Sequence, residues 1–410
     1  MYAFFQWLAD KNKDRFRVRT SVKQSDGNRE NAYLPYGRQS IDEADIKAVT
    51  DVLRSGWLTT GPKVEEFERK GAGLAGTRHA VAVNSGTAAL HAAVHAVGIK
   101  PGDEVILSSM TFAATGNVIV HSGGVPVFAD VDPDTLNMDP ESVENKITPK
   151  TRAVIAVDYA GQMCDYRRLG ELVRKRNLSL IADACHSFGG SLDGEPSGSW
   201  ADISVFSFHP VKNITTGEGG MVVTDNADFA GKAKRFRNHG ISMDAAQRER
   251  ADSWYYEIEE PGYNYRITDI QCALGISQFD KMPGWIEQRN RLAGLYDRFM
   301  EGMDEVEPLG KTPGVKHAYH LYVIRLNVEN HKKRRAELFQ KMRQAGIGVN
   351  VHYVPVHYHP FYRKTFHTGE GMCPAAEDAY ERILTLPMFP GMEEKDVQRV
   401  CAVLKRFLGE

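Results

Sequence analysis

No run of 18 apolar residues occurs in the 410-residue sequence, so no segment reads as a membrane-spanning helix. The opening MYAFFQWLAD is apolar but has no basic region ahead of it, and charged residues follow at once, so it does not read as a signal peptide. An excess of one charge is also missing. Lys and Arg number 51 against 53 Asp and Glu, a net charge of -2, which argues against nucleic acid or a membrane surface as partner. An anionic substrate must then be held by local groups. Cysteine is scarce: Cys164, Cys185, Cys272, Cys373 and Cys401 are scattered, odd in number and form no CxxC pair. That excludes a disulfide framework and a structural zinc site, predicts no bound metal, and makes the cytoplasm the expected location. No GxGxxG follows the first strand, so a dinucleotide site is unsupported. Tandem repeats and low-complexity tracts are absent too.

What is present is ordinary for a globular protein, with 42% hydrophobic and 25% charged residues. The length exceeds what one core usually covers, which predicts two packed domains. Residues 1–32 are polar and basic and read as an arm or tail. From Ser40 a helix begins, with Ser40 and Glu43 as its capping box and Ile46, Val49, Val52 and Leu53 at helical spacing. The loop SGWLTTGP and a second helix from about Val64 follow. From residue 79 short apolar strands alternate with helices: HAVAV, DEVILSS, PVFADV, AVIAV, LSLIAD, ISVFSF and GMVVTD. That rhythm predicts an α/β domain with a mostly parallel sheet. A long helix is expected from about Thr268 to Met300, kinked at Pro283. It would join a large domain, 33–285, to a smaller α+β domain, 286–410, with strands in YHLYVIRL and GVNVHY.

Three segments carry chemistry. In NSGTAAL, residues 84–90, a strand ends and a helix begins at Ser85-Gly86-Thr87; first-turn N–H groups and the Thr87 hydroxyl suit one phosphate. In IADACHSFG, Asp183 ends an apolar strand, where α/β folds gather ligands, and could pair with a protonated ring nitrogen. His186 lies three residues on. In SVFSFHPVKNITTGEGG, Lys212 sits between a strand and a Gly-rich turn, where a depressed pKa would let it form a Schiff base. Alone, each has a plainer reading: a helix cap, a strand-end Asp capping a turn, a solvated surface lysine. Together, and in this order, they are what the large domain of a pyridoxal-phosphate enzyme presents.

On these motifs, FSFHPVKNITTGEGG above all, the chain resembles the DegT/StrS-type sugar aminotransferases over about residues 33–408. The resemblance implies a fold-type-I pyridoxal-phosphate transferase and pyridoxal 5'-phosphate as cofactor. By it, Lys212 would hold the cofactor covalently and shuttle a proton. Asp183 would bind the pyridine nitrogen, His186 would sit by the phenolic oxygen, and Phe112 would stack on the ring. Gly86, Thr87 and Ser207 would bind the phosphate, and Asn264 would reach it from the neighbouring subunit of a homodimer. The segments YGRQSIDEADI, SGWLTTGP, SWYYEIEEPGYNYRITDIQCALG and VNVHYVPVHYHPFYR resemble enzymes of pseudaminic acid biosynthesis. They imply a UDP-linked 2-acetamido-2,6-dideoxy-4-hexulose as substrate and L-glutamate as amino donor. Sugar contacts would come from Tyr36, Gly56, Trp57, Leu58, Thr59, Asn350, Val351, His352 and Tyr353, with the loop of His352 and His357 favouring an N-acetyl sugar. The alternatives are an aminotransferase for a dTDP- or GDP-linked sugar and, more remotely, a non-catalytic regulator of the same fold; for the latter the arm is too short to be a DNA-binding module.

Overall fold

The computed structural model describes residues 32–243, 248, 252–329 and 331–409. The chain divides into two units, Met1–Tyr33 and Leu34–Glu410. Save for Ala32, the expected arm lies outside the described residues. All that follows concerns the second unit.

Thirteen strands are present among the described residues: β1 His79–Val83, β2 Glu104–Ser108, β3 Val125–Ala129, β4 Thr151–Val157, β5 Ser179–Asp183, β6 Ser191–Leu192, β7 Glu195–Pro196, β8 Ile203–Ser207, β9 Gly220–Thr224, β10 Val306–Pro308, β11 Val315–Lys316, β12 Tyr322–Leu326 and β13 Ile383–Leu386. Seven form the central sheet in the order β1-β9-β8-β5-β4-β2-β3. Only β9 runs against the others, pairing antiparallel with β1 and β8; the remaining pairs are parallel. The α/β domain with a mostly parallel sheet is therefore observed.

The strands are apolar on both faces, as a sheet covered on both sides requires. Along β1, Val81 and Val83 pack into one core with the helix Gly86–Ala96. Ala80 and Ala82 turn into the other, against the helix Pro62–Ala75. A third core joins β12 and β13 to the helices His331–Gln344 and Glu394–Leu408 and to the distal part of the helix Asp269–Phe299. The capping of that last helix explains its start: the Thr268 hydroxyl accepts from Gln271 N while the Gln271 side chain accepts from Thr268 N. It contains Pro283 yet runs as one 31-residue element. The domain boundary expected at 285–286 falls inside it.

Two local expectations fail. The helix expected from Ser40 is Glu43–Leu53, and its capping box is Asp42 with Asp45, not Ser40 with Glu43. Lys281 decides this, because its ammonium group lies 2.5 Å from Asp42 and 2.8 Å from Asp45. Both carboxylates are thereby held at the helix start, while the Ser40 carbonyl is occupied by Gln278. Ile46 and Leu53 also face outward, leaving Val52 as the buried apolar residue of that helix. GVNVHY is not a strand: it contributes a single bridge, Asn350 to Thr385, and otherwise runs as loop. Its apolar alternation serves a loop buried on one side, a pattern that sequence does not separate from a strand.

Candidate active site

The parallel strands deliver their carboxyl ends to one cleft of about 1030 Å³, the position where open α/β sheets bind ligands. Asn84 follows β1, Thr111 follows β2, Val157 ends β4, Asp183 ends β5 and Ser207 ends β8, and all line it. Lys212, Phe112, His186, Tyr36 and Asn350–Tyr353 line it as well.

The turn after β1 is built for close approach. Ser85 caps the helix by accepting from Ala88 N at 3.1 Å. The following N–H groups of the first turn have no carbonyl of their own helix to bind. Gly86 touches Ser207 so closely that a Cβ would sit 2.7 Å from the Ser207 Cβ. Thr87 and Ser207 line the same cleft as that helix start.

Asp183 is buried, and its Oδ2 accepts from the Thr115 hydroxyl at 2.8 Å; Thr115 in turn pairs with Thr111 at 2.8 Å. Lys212 lies on a loop closed by Phe208 N to Gly219 O and Thr216 N to Phe208 O. Burial pushes its ammonium pKa down, opposed by Cys185 and Asp183. A lysine held toward its neutral form is a competent amine for carbonyl condensation. His186 Nε2 meets the Tyr353 hydroxyl at 3.1 Å, and its ring packs 4.4 Å from that of His320. Burial first, then Lys212 and His352, holds His186 far below the usual imidazole range. His352, also buried, is pushed down to about 3 for the same first reason, with Lys212 second. His186 and His352 are therefore both held toward the neutral form, with Lys212 contributing to each.

Not every expected residue meets here. Gly56, Trp57, Leu58 and Thr59 form an exposed loop outside the lining, tied to the long helix by Asp269 N to Leu58 O and a bridge from Thr59 to Thr268. Asn264 is exposed and also outside the lining; its backbone carbonyl accepts from the Asn84 side chain. His357 faces away: it is fully buried and bonds Glu377 at 3.0 Å. Sequence reading passed over Thr115, Cys185 and His320. Thr115 had a legible signal, since Thr111 and Thr115 stand four apart at a helix start. His320 had none, because its place depends on packing from the far side of the cleft.

Fold and site together define a pyridoxal-phosphate-dependent aminotransferase of fold type I. The residues fit the group: a helix start at Gly86 in close contact with Ser207, a buried carboxylate at Asp183, a lysine short of solvation and an exposed aromatic ring at Phe112. A family model described as the DegT/DnrJ/EryC1/StrS aminotransferase family matches residues 39–405, and the chain belongs to that family. It takes pyridoxal 5'-phosphate and is a sugar aminotransferase. Among curated relatives, the spore coat polysaccharide biosynthesis protein SpsC of Bacillus subtilis is 41% identical over 378 residues, covering 92% of this chain and 97% of the relative. Among solved structures, a sugar aminotransferase of Streptococcus pneumoniae, Spr1654 in its PMP form, shares 35% identity and a TM-score of 0.86, covering 91% of this chain and 98% of that one. Helicobacter pylori PseC, an aminotransferase involved in pseudaminic acid biosynthesis, shares 32% identity and a TM-score of 0.86, covering 92% of this chain and 100% of that one. No described helix is long and apolar enough to cross a membrane.

Proposed function

We propose that the enzyme aminates the C4 keto group of a UDP-linked 2-acetamido-2,6-dideoxy-4-hexulose, with glutamate as donor, in the route to pseudaminic acid. The observation that carries this reading is the likeness to PseC over nearly the whole chain, together with Asn350, His352 and Tyr353 lining the cleft of Lys212. The cofactor supplies an electron sink for the carbanion that forms when the substrate carbon loses its proton. The rest falls to the chain. Lys212 holds the cofactor and, once displaced, carries the proton on Nζ. Asp183, supported by Thr115, keeps the pyridine nitrogen protonated. Gly86, Thr87 and Ser207 would hold the phosphate, Phe112 would pack on the ring, and His186 would lie near the phenolic oxygen. Tyr36 and Asn350–Tyr353 receive the sugar.

The same reading makes the enzyme a two-fold homodimer in which Asn264 and the Gly56–Thr59 loop serve the neighbouring site. Their position outside their own cleft supports it, as does the exposure of Trp57 and Leu58. Two experiments test these proposals. Specificity constants for UDP-, dTDP- and GDP-linked 4-keto sugars should favour the UDP-N-acetyl sugar; a preference for another nucleotide sinks the pathway and keeps the family. Mixed dimers of Lys212→Ala and Asn264→Trp should recover activity through one intact site. Persistent inactivity of confirmed mixed dimers rules out shared sites.

A further inference from the structure

Behind the sugar side of the cleft, three polar residues are joined in a line. Thr385, on β13, is 1% exposed and does not line the cleft. Its hydroxyl lies 2.9 Å from His352 Nδ1. On the other side of the ring, His352 Nε2 lies 3.3 Å from Asn350 Nδ2. The backbones of residues 350 and 385 are also paired, with Thr385 N to Asn350 O at 2.8 Å and Asn350 N to Thr385 O at 3.2 Å. The Tyr159 hydroxyl holds the His352 carbonyl. The segment therefore has little freedom to slide.

The direction of each bond follows from chemistry. Asn350 Oδ1 accepts from Val351 N at 2.9 Å, which fixes the amide orientation and turns Nδ2 toward the histidine. An amide nitrogen only donates, so His352 Nε2 must accept. A neutral imidazole carries one proton, so that proton is on Nδ1 and is donated to Thr385. The ring is neutral, as burial and Lys212 dictate. Asn350 then has one amide hydrogen committed to His352 and a second left for the cleft that it lines.

We propose that Thr385 is a positioning residue: through the Nδ1–H tautomer of His352 it orients the Asn350 amide to donate to a neutral oxygen of the sugar substrate. A carbonyl such as that of an acetamido group, or a hydroxyl, fits this donor; a carboxylate or phosphate would select a cationic group instead. This rests on the sugar binding at Asn350–Tyr353, as proposed above.

The test uses holoenzyme carrying Thr385→Val, Thr385→Ser or Asn350→Ala, with the two half-reactions followed separately by cofactor absorbance. Thr385→Val removes the hydroxyl and keeps the shape. It should raise KM for the keto-sugar about 3- to 10-fold, the effect of one neutral hydrogen bond, with kcat little moved. The loss should fall on the keto-sugar half-reaction, not on the glutamate one, and Thr385→Ser should restore KM. In wild type, the 15N shifts of the His352 ring should report a proton on Nδ1; this measurement stands even if Thr385→Val fails to fold. An Nε2–H tautomer, or a folded Thr385→Val with wild-type KM, overturns the proposal. If Asn350→Ala impairs the keto-sugar step while Thr385→Val does not, only the relay is wrong. If Asn350→Ala leaves that step untouched, the placing of the sugar is wrong as well.

Discussion

Asp158 offers the sharpest test of the electrostatics beneath the cleft. It follows β4, is fully buried, and lies against the strand end that carries Asp183, with Asp158 N donating to Asp183 O at 3.1 Å. Its Oδ1 accepts from Cys164 N at 3.0 Å and the Tyr166 hydroxyl at 2.8 Å, and its Oδ2 accepts from the Ser187 hydroxyl at 2.5 Å. Burial outweighs these donors and pushes the carboxyl up to about 7. The unfolded value is about 3.9, so between those pH values the folded state holds a proton that the unfolded state releases. The group therefore contributes stability that is complete below pH ~4 and is lost as pH rises through 7. A difference of about 3 units corresponds to about 4 kcal/mol. The group has no solvent access, so screening does not reduce this.

Asp158→Asn removes the titration and keeps the geometry. Oδ1 retains both of its donors. The new amide nitrogen faces Ser187, whose hydroxyl can turn to accept and give its proton to the Ala184 carbonyl at 3.3 Å. The assay is urea unfolding of wild type and variant from pH 5 to pH 8. The variant should gain on wild type as pH rises, by about 2–4 kcal/mol across that range. Taking the difference removes the buried histidines, whose depressed pKa values act in the opposite sense. Parallel stability curves for the two proteins would refute the buried, proton-holding carboxyl.

Three further outcomes follow from the site. Gly86→Ala should weaken cofactor binding at least tenfold in reconstitution of the apo-protein while the far-UV circular dichroism stays native, since its Cβ would press on Ser207. Asp183→Asn should still bind cofactor yet slow the proton-transfer step by several orders of magnitude, because a buried charge-assisted pair of about 3–5 kcal/mol is lost; single-turnover absorbance kinetics measure it. Thr115→Val should slow the same step by about 10- to 100-fold, the worth of a hydrogen bond to a charged group.

The central fold was legible because each strand is a short apolar run bounded by turn residues, and at the ends of β1, β5 and β8 stand polar residues that line the cleft, Asn84, Asp183 and Ser207. That Gly86, Asp183 and Lys212 share one cleft could be read because each stands at a strand end or the turn after it. What failed depended on contacts far along it. Lys281, more than 230 residues away, selects Asp42 over Ser40 as the cap. His357 and His352 look alike in VNVHYVPVHYHPF, yet Glu377 draws one into the interior while Thr385 and Asn350 hold the other at the cleft. Pattern gives the period of a segment but not the partner that decides which way its polar groups face.

The helix Asp269–Phe299 acts as a common ruler for the cleft. At its start, Asp269 accepts from Gly61 N and Lys63 N. Further along, Gln278 and Lys281 grip Asp45 and Asp42. Beyond Pro283, Arg289 reaches the carbonyls of Tyr319, His320 and Met388. Inserting or deleting one residue in an α-helix rotates everything past that point by about 100°. These three sets of grips, spread along one rod, would then lose phase with one another. Hybrid enzymes that graft the C-terminal part of one relative onto the N-terminal part of another should therefore be joined outside residues 269–299. Loop grafts on either side leave the phase intact; a splice at unequal length within the helix beyond Gln271 scrambles the cleft without touching a residue that lines it.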